Sequence, residues 1–100
     1  LPKETPMKPL FCPLKKQYFN QSKDGTKSTE YRGYGKQWTE RTVIIGRPIT
    51  LSCGYNGERI HGIISSLDIM PIGESPDVAQ ELYSGRYNAI CAIGITIQQK

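Results

Sequence analysis

The sequence lacks the pieces of most familiar catalytic centres. It has one histidine, His61, and three cysteines, Cys12, Cys53 and Cys91, none of them in a C-x-x-C pair or a Cys/His cluster. That spacing argues against a structural zinc site, and no metal and no cofactor is expected. Each cysteine sits in or beside an apolar segment, so the three read as buried, reduced thiols. No serine lies in a G-x-S-x-G elbow, and a lone histidine leaves little room for a hydrolase triad. "GYGKQW" lacks the strand-to-helix setting of a phosphate loop. No apolar run approaches the roughly 20 residues of a membrane-spanning helix. The most apolar stretch, "AICAIGITI", is rich in β-branched side chains and reads as a buried strand. The opening "LPKETP" is short, polar and proline-bearing, which suits a loose arm over residues 1–6 rather than a signal peptide, so the expected location is cytoplasmic.

What is present fits one domain over residues 7–100 of a 100-residue chain. The formal net charge is +4 and the isoelectric point about 9.1, which permits a polyanionic partner without demanding one. The excess is carried by the first half, from Lys3 to Arg47; beyond residue 60 the basic residues are Arg86 and Lys100. An electropositive face is therefore expected from the first half.

Along the chain, "MKPLFCPL" reads as a strand whose prolines place it at a sheet edge. Residues 14–24 read as a helix with Tyr18, Phe19 and Ser22 on one face and Gly25 as its stop. "TKSTEYR" is a strand by its threonines and tyrosine, and "GYGKQWTER" a loop. "TVII" and "ITLSCGY" read as strands. Asn56-Gly57 signals a type I′ hairpin turn, and "ERIHGIISSLDIM" returns from it with Ile60, Gly62 and Ile64 on one face. Ser75 before Pro76 reads as the N-cap of a second helix, with Val78, Ala79 and Leu82 toward the core and Gly85 ending it. "RYNAICAIGITIQQ" is the last strand. The order β-α-β-loop-β-β-β-α-β has no regular βαβ alternation. The fold class is α+β, a small, mostly antiparallel barrel or curled sheet with two short covering helices.

Function is sought in "GTKSTEYR". On a regular strand Glu30, Arg32 and Ser28 share a face and Lys27, Thr29 and Tyr31 take the other; a bulge or the Gly25 turn would bring Lys27 round. Arginine offers a planar fork for phosphate or a base edge, glutamate accepts from the exocyclic amine of cytosine, and a desolvated lysine holds an anion or acts as a base. A solvated strand with one salt bridge is the plainer reading of the same residues. Tyr31, Tyr34, Trp38 and Tyr55 lie among Lys36, Arg41, Arg47 and Arg59, an interleaving that suits stacking on bases. Trp38 fits a thin core as well as a loop over a cleft. Ser52, Tyr55 and Asn56 are candidates for the hairpin end of such a cleft.

The segment "MKPLFCPLKKQYFNQSKDGTKSTEYR" resembles the opening of the ASCH domain family, of the PUA-like superfamily of small β-barrels. The motif G-x-K-x-x-E-x-R is present as Gly25, Lys27, Glu30 and Arg32. "VIIGRPITLSCGYNGERIHGIISSLD" is similar to the family's following hairpin and "YNAICAIGITI" to its closing strand, so the resemblance runs over about residues 7–98, most like small bacterial and phage members. It implies recognition of RNA, a modified nucleoside or a nucleotide in a cleft walled by Lys27, Glu30 and Arg32, with Tyr34, Trp38 and Arg41 as a lid or flank and Tyr55 nearby. It also implies a second reading, an enzyme: an amidohydrolase on N4-acylated cytidine, or a ribonuclease, with Lys27 as base or proton carrier and Glu30 orienting the substrate. The amidohydrolase branch carries a threonine where this sequence has Glu30, and a distant glutamate for which Glu58, Glu74 and Glu81 are the candidates. A third reading is a bacterial or phage module that binds a protein partner. None of the three involves a membrane.

Overall fold

The structure is a computed structural model that describes residues 8–25 and 28–97. The arm expected over residues 1–6, Lys27 of the motif, and residues 98–100 lie outside the described residues.

Among the described residues, five strands and two short helices are laid out as β1 (Leu10–Leu14), α1 (Lys16–Asp24), β2 (Thr29–Gly33), β3 (Pro48–Cys53), β4 (Arg59–Pro71), α2 (Asp77–Tyr83) and β5 (Ala89–Ile97), with a 3₁₀ turn at Ile72–Glu74 before α2. They form one mixed sheet in the order β1-β3-β4-β5-β2. The β1–β3 pairing is parallel and the other pairings are antiparallel. The sheet curls into a half-barrel, as the α+β reading expects.

Local chemistry explains most of these elements. In β1 the side chains of Leu10, Cys12 and Leu14 are buried and alternate with Phe11 and Pro13. Pro13 sits on an edge strand, where the missing N–H costs nothing. Helix α1 buries Phe19 and Ser22 against the sheet and stops at Gly25, whose φ of 83° is left-handed and whose N–H caps the Gln21 and Ser22 carbonyls. Strand β5 buries Ile90, Cys91, Ala92, Ile93 and Ile95, and with Leu51, Ile49 and Ile64 it makes the centre of the core.

Three local expectations are corrected. "TVII" is not a strand. Thr42 and Val43 donate their N–H groups to the Thr39 carbonyl, and the Thr42 hydroxyl bonds the Gln37 carbonyl, so the segment folds as a turn. Val43 alone of its apolar residues is buried, while Ile44 and Ile45 face out. Hydroxyls that compete for backbone groups override β propensity here. The β3–β4 connection is not a two-residue type I′ turn. Neither Asn56 nor Gly57 has positive φ, and Gly54 does at 70°. A Cβ on Gly57 would lie 2.2 Å from the Cys53 carbonyl oxygen, so glycine is required for close approach. Ser75 is not the N-cap of α2. Its hydroxyl donates to the Ile72 carbonyl at 2.6 Å, closing the preceding 3₁₀ turn, and Pro76 takes the cap position.

The Ser52 hydroxyl is fully buried in β3 and has no hydrogen-bond partner among the described residues. A buried hydroxyl without a partner is a net cost. Ser52→Ala is therefore expected to leave stability unchanged or raise it by about 1 kcal/mol, read as the urea midpoint. A clear loss of stability would show that the hydroxyl is satisfied.

Candidate functional site

Strands β1 and β2 are the two opposite edges of the sheet. Curling brings them face to face, and Arg32 of β2 closes the gap. One terminal amino group donates to the Pro13 carbonyl of β1 at 2.5 Å and lies 3.3 Å from the Cys12 sulfur. Its Nε donates to Glu30 Oε2 at 3.2 Å, and its guanidinium carbon stands 5.0 Å from the Trp38 ring centroid. The two side chains are largely out of water, at 17% and 9% exposure for Arg32 and Glu30. Burial works against the Arg32 charge, but Cys12 and Glu30 outweigh it and the guanidinium is held protonated. The sequence left open whether Glu30 and Arg32 pair; they do, as alternate residues of one strand face. Arg32 is therefore a structural strap across the half-barrel, and its fork is engaged within the fold.

Helix α2 packs on β2, and α1 packs on β1 and β3. Between the helices, over β2, an open cleft of about 560 Å³ is lined by Tyr18 and Gln21 of α1, by Ser28, Thr29, Glu30 and Tyr31, and by Val78, Ala79 and Leu82 of α2. It adjoins a smaller chamber of about 250 Å³, lined by Pro13, Leu14, Lys15, Tyr18, Glu30, Arg32, Leu82, Tyr83 and Arg86. Tyr18, Glu30 and Leu82 belong to both. Tyr83 fixes α2 to the strand by donating its hydroxyl to the Tyr31 carbonyl at 3.0 Å, and burial raises its pKa.

The other sequence candidates fall elsewhere. Lys27 lies outside the described residues. The residues lining the two chambers do not include Tyr34, Trp38, Arg41 or Tyr55. Trp38 is buried in the core cluster, with its N–H and carbonyl bonded to Gly35. The Tyr34 hydroxyl donates to Glu40 at 2.5 Å, which raises the tyrosine pKa and lowers that of the carboxylate. Arg41 is exposed. Tyr55 is 72% exposed at the β3–β4 turn, its ring 6.0 Å from Phe11. Arg47 is spent on the Lys8 and Thr42 carbonyls, and Arg59 on the Tyr55 carbonyl.

Sequence reasoning missed Gln21, Lys15, Val78 and Arg86 as cleft residues. No periodicity marks them, because the cleft exists only once α2 docks on an edge strand. Of the cations lining the smaller chamber, Lys15 and Arg32 come from the first half of the chain and Arg86 from the second.

All three cysteines are free, Cys12 and Cys91 buried and Cys53 half-buried. Burial pushes the Cys91 thiol up to about 11, so it is protonated at neutral pH and is no nucleophile. Among the described residues no three His, Cys, Asp or Glu side chains are grouped to hold a metal, and no helix is long and apolar enough to cross a membrane. Compared with known proteins, the chain matches no family model and no curated protein sequence.

Proposed function

We propose that the cleft over β2 binds a nucleoside, with the amine-bearing edge of a cytosine-type base set against Glu30. The observation that carries this reading is a buried carboxylate shared by two chambers, the larger lined by neutral polar groups, two tyrosines and the apolar side chains Val78, Ala79 and Leu82. An ionised carboxylate only accepts hydrogen bonds, and its two oxygens accept several at once. Glu30 therefore serves Arg32 and a ligand amine together. The N4 amine of cytosine is the matching donor. Tyr18 offers a ring face to the base, and Gln21 and Ser28 offer donors and acceptors to its other edge and to the sugar. The volume, about 560 Å³, is in the range of small-molecule sites. The resemblance to ASCH domains points to the same strand and the same class of ligand. The engagement of Arg32 within the fold favours a small neutral base over a phosphate-tracking groove at this point.

Val78 tests the reading. It lines the cleft but is 39% exposed, so Val78→Trp fills the space without disturbing the core. Cytidine binding measured by calorimetry is expected to weaken at least about tenfold, the effect of losing about 1.4 kcal/mol, with the melting temperature unchanged. Uridine, which lacks the amine, is expected to bind the native protein at least about tenfold more weakly than cytidine. Equal binding of the two nucleosides, or native-like binding by the tryptophan variant, would overturn the proposal.

A further inference from the structure

The two chambers adjoin at Tyr18, Glu30 and Leu82 but differ in chemistry. Among the described residues that line the larger, Glu30 is the charged one. Among its described lining residues, the smaller brings three cations, Lys15, Arg32 and Arg86, to the same carboxylate. Arg32 answers Glu30 and the β1 backbone. Lys15 and Arg86 remain as excess positive charge at the chamber wall, both exposed enough to meet a ligand.

Arg86 is positioned rather than loose. Its guanidinium carbon lies 6.0 Å and 5.8 Å from the ring centroids of Tyr83 and Tyr87, and one amino group donates to the Leu82 carbonyl at 2.7 Å. A guanidinium carries five N–H donors, so this leaves a pre-oriented fork. Lys15 also lines the chamber, at the start of α1, whose first turn holds no acidic residue. Two cations from separate elements, next to a chamber sized for a nucleoside, match an anion attached to that nucleoside.

We infer that the ligand is a nucleoside monophosphate, its base in the larger chamber and its phosphate in the smaller one between Lys15 and Arg86. The inference rests on the nucleoside reading above and adds the phosphate. A phosphate monoester carries a charge of about −1.5 to −2 at neutral pH and three acceptor oxygens, which suits a fork and an ammonium together.

Calorimetry with cytidine, its 5′- and 3′-monophosphates, and a short single-stranded oligocytidylate tests this on the native protein and on Lys15→Gln/Arg86→Gln. Both side chains are exposed, and thermal melting checks that the double variant is folded. At least one monophosphate is expected to bind the native protein at least about tenfold more tightly than cytidine, an advantage of about 1.4 kcal/mol. In the double variant the ratio of the two affinities is expected to fall to about one, and in the native protein it is expected to shrink as salt is raised. Equal affinities for cytidine and both monophosphates in the native protein would overturn the inference and leave the nucleoside reading standing. A ratio unchanged in the double variant would also overturn it. Binding of neither nucleoside nor nucleotide would remove the reading beneath it. An oligomer bound far more tightly than the monomers, with a salt dependence of several phosphates, would replace the mononucleotide with a strand.

Discussion

Arg32→Met is expected to cost the fold about 3–5 kcal/mol, the loss typical of breaking a buried ion pair by removing one partner. The variant leaves the buried Glu30 carboxylate without its guanidinium and takes a donor from the Pro13 carbonyl. It also unfastens β1 from β2, edge strands that no backbone ladder joins to each other. In a domain of this size the melting temperature should fall by at least about 12 °C. Urea denaturation measures the loss directly. Because a buried carboxylate deprived of its guanidinium carries part of that penalty, Glu30→Leu/Arg32→Met should recover some of it. A loss of only a few tenths of a kcal/mol, as for an exposed pair, would mean that Arg32 is no strap.

Phe19→Ala is the second large effect. Phe19 is 1% exposed and is the main anchor of α1 on the sheet. Truncating a buried phenylalanine costs about 3–5 kcal/mol. A nine-residue helix has little stability of its own, so α1 depends on that anchor. The same helix supplies Tyr18 and Gln21 to the cleft wall. The variant should therefore lose cytidine binding even at a temperature where it remains folded. Denaturation and calorimetry on one preparation separate the two losses, and native-like binding in a destabilised protein would show that α1 is not a wall of the site.

The parts of this fold that could be read from sequence are those governed by neighbouring residues. Gly25 ends α1 because a left-handed residue caps the Gln21 and Ser22 carbonyls, and glycine takes that conformation freely. Prolines marked β1 as an edge. The apolar run of β5 marked a central strand, and Glu30 and Arg32 fell on one strand face. Misreadings arose where one local signal competed with another. β-branched side chains in "TVII" lost to threonine hydroxyls that bind the backbone. At Asn56-Gly57 the glycine is required, but for close approach to Cys53 rather than for a positive φ. Trp38 sits among polar neighbours in sequence, yet it is buried against the core and beside Arg32. The helical walls of the cleft were not legible. They depend on β2 lying at the edge opposite β1 and on α2 covering it, and both follow from long-range pairing. For the same reason a reader of the motif assigns Arg32 to a ligand, whereas curling of the sheet assigns it to the Pro13 carbonyl.

The most direct measurement is an amide chemical-shift titration of the ¹⁵N-labelled protein with cytidine. The account predicts saturable shifts centred on Tyr18, Gln21, Ser28–Tyr31 and Val78–Leu82, the walls of the cleft. Shifts centred on Tyr34–Arg41 or on Tyr55, or no shifts at millimolar cytidine, would contradict it.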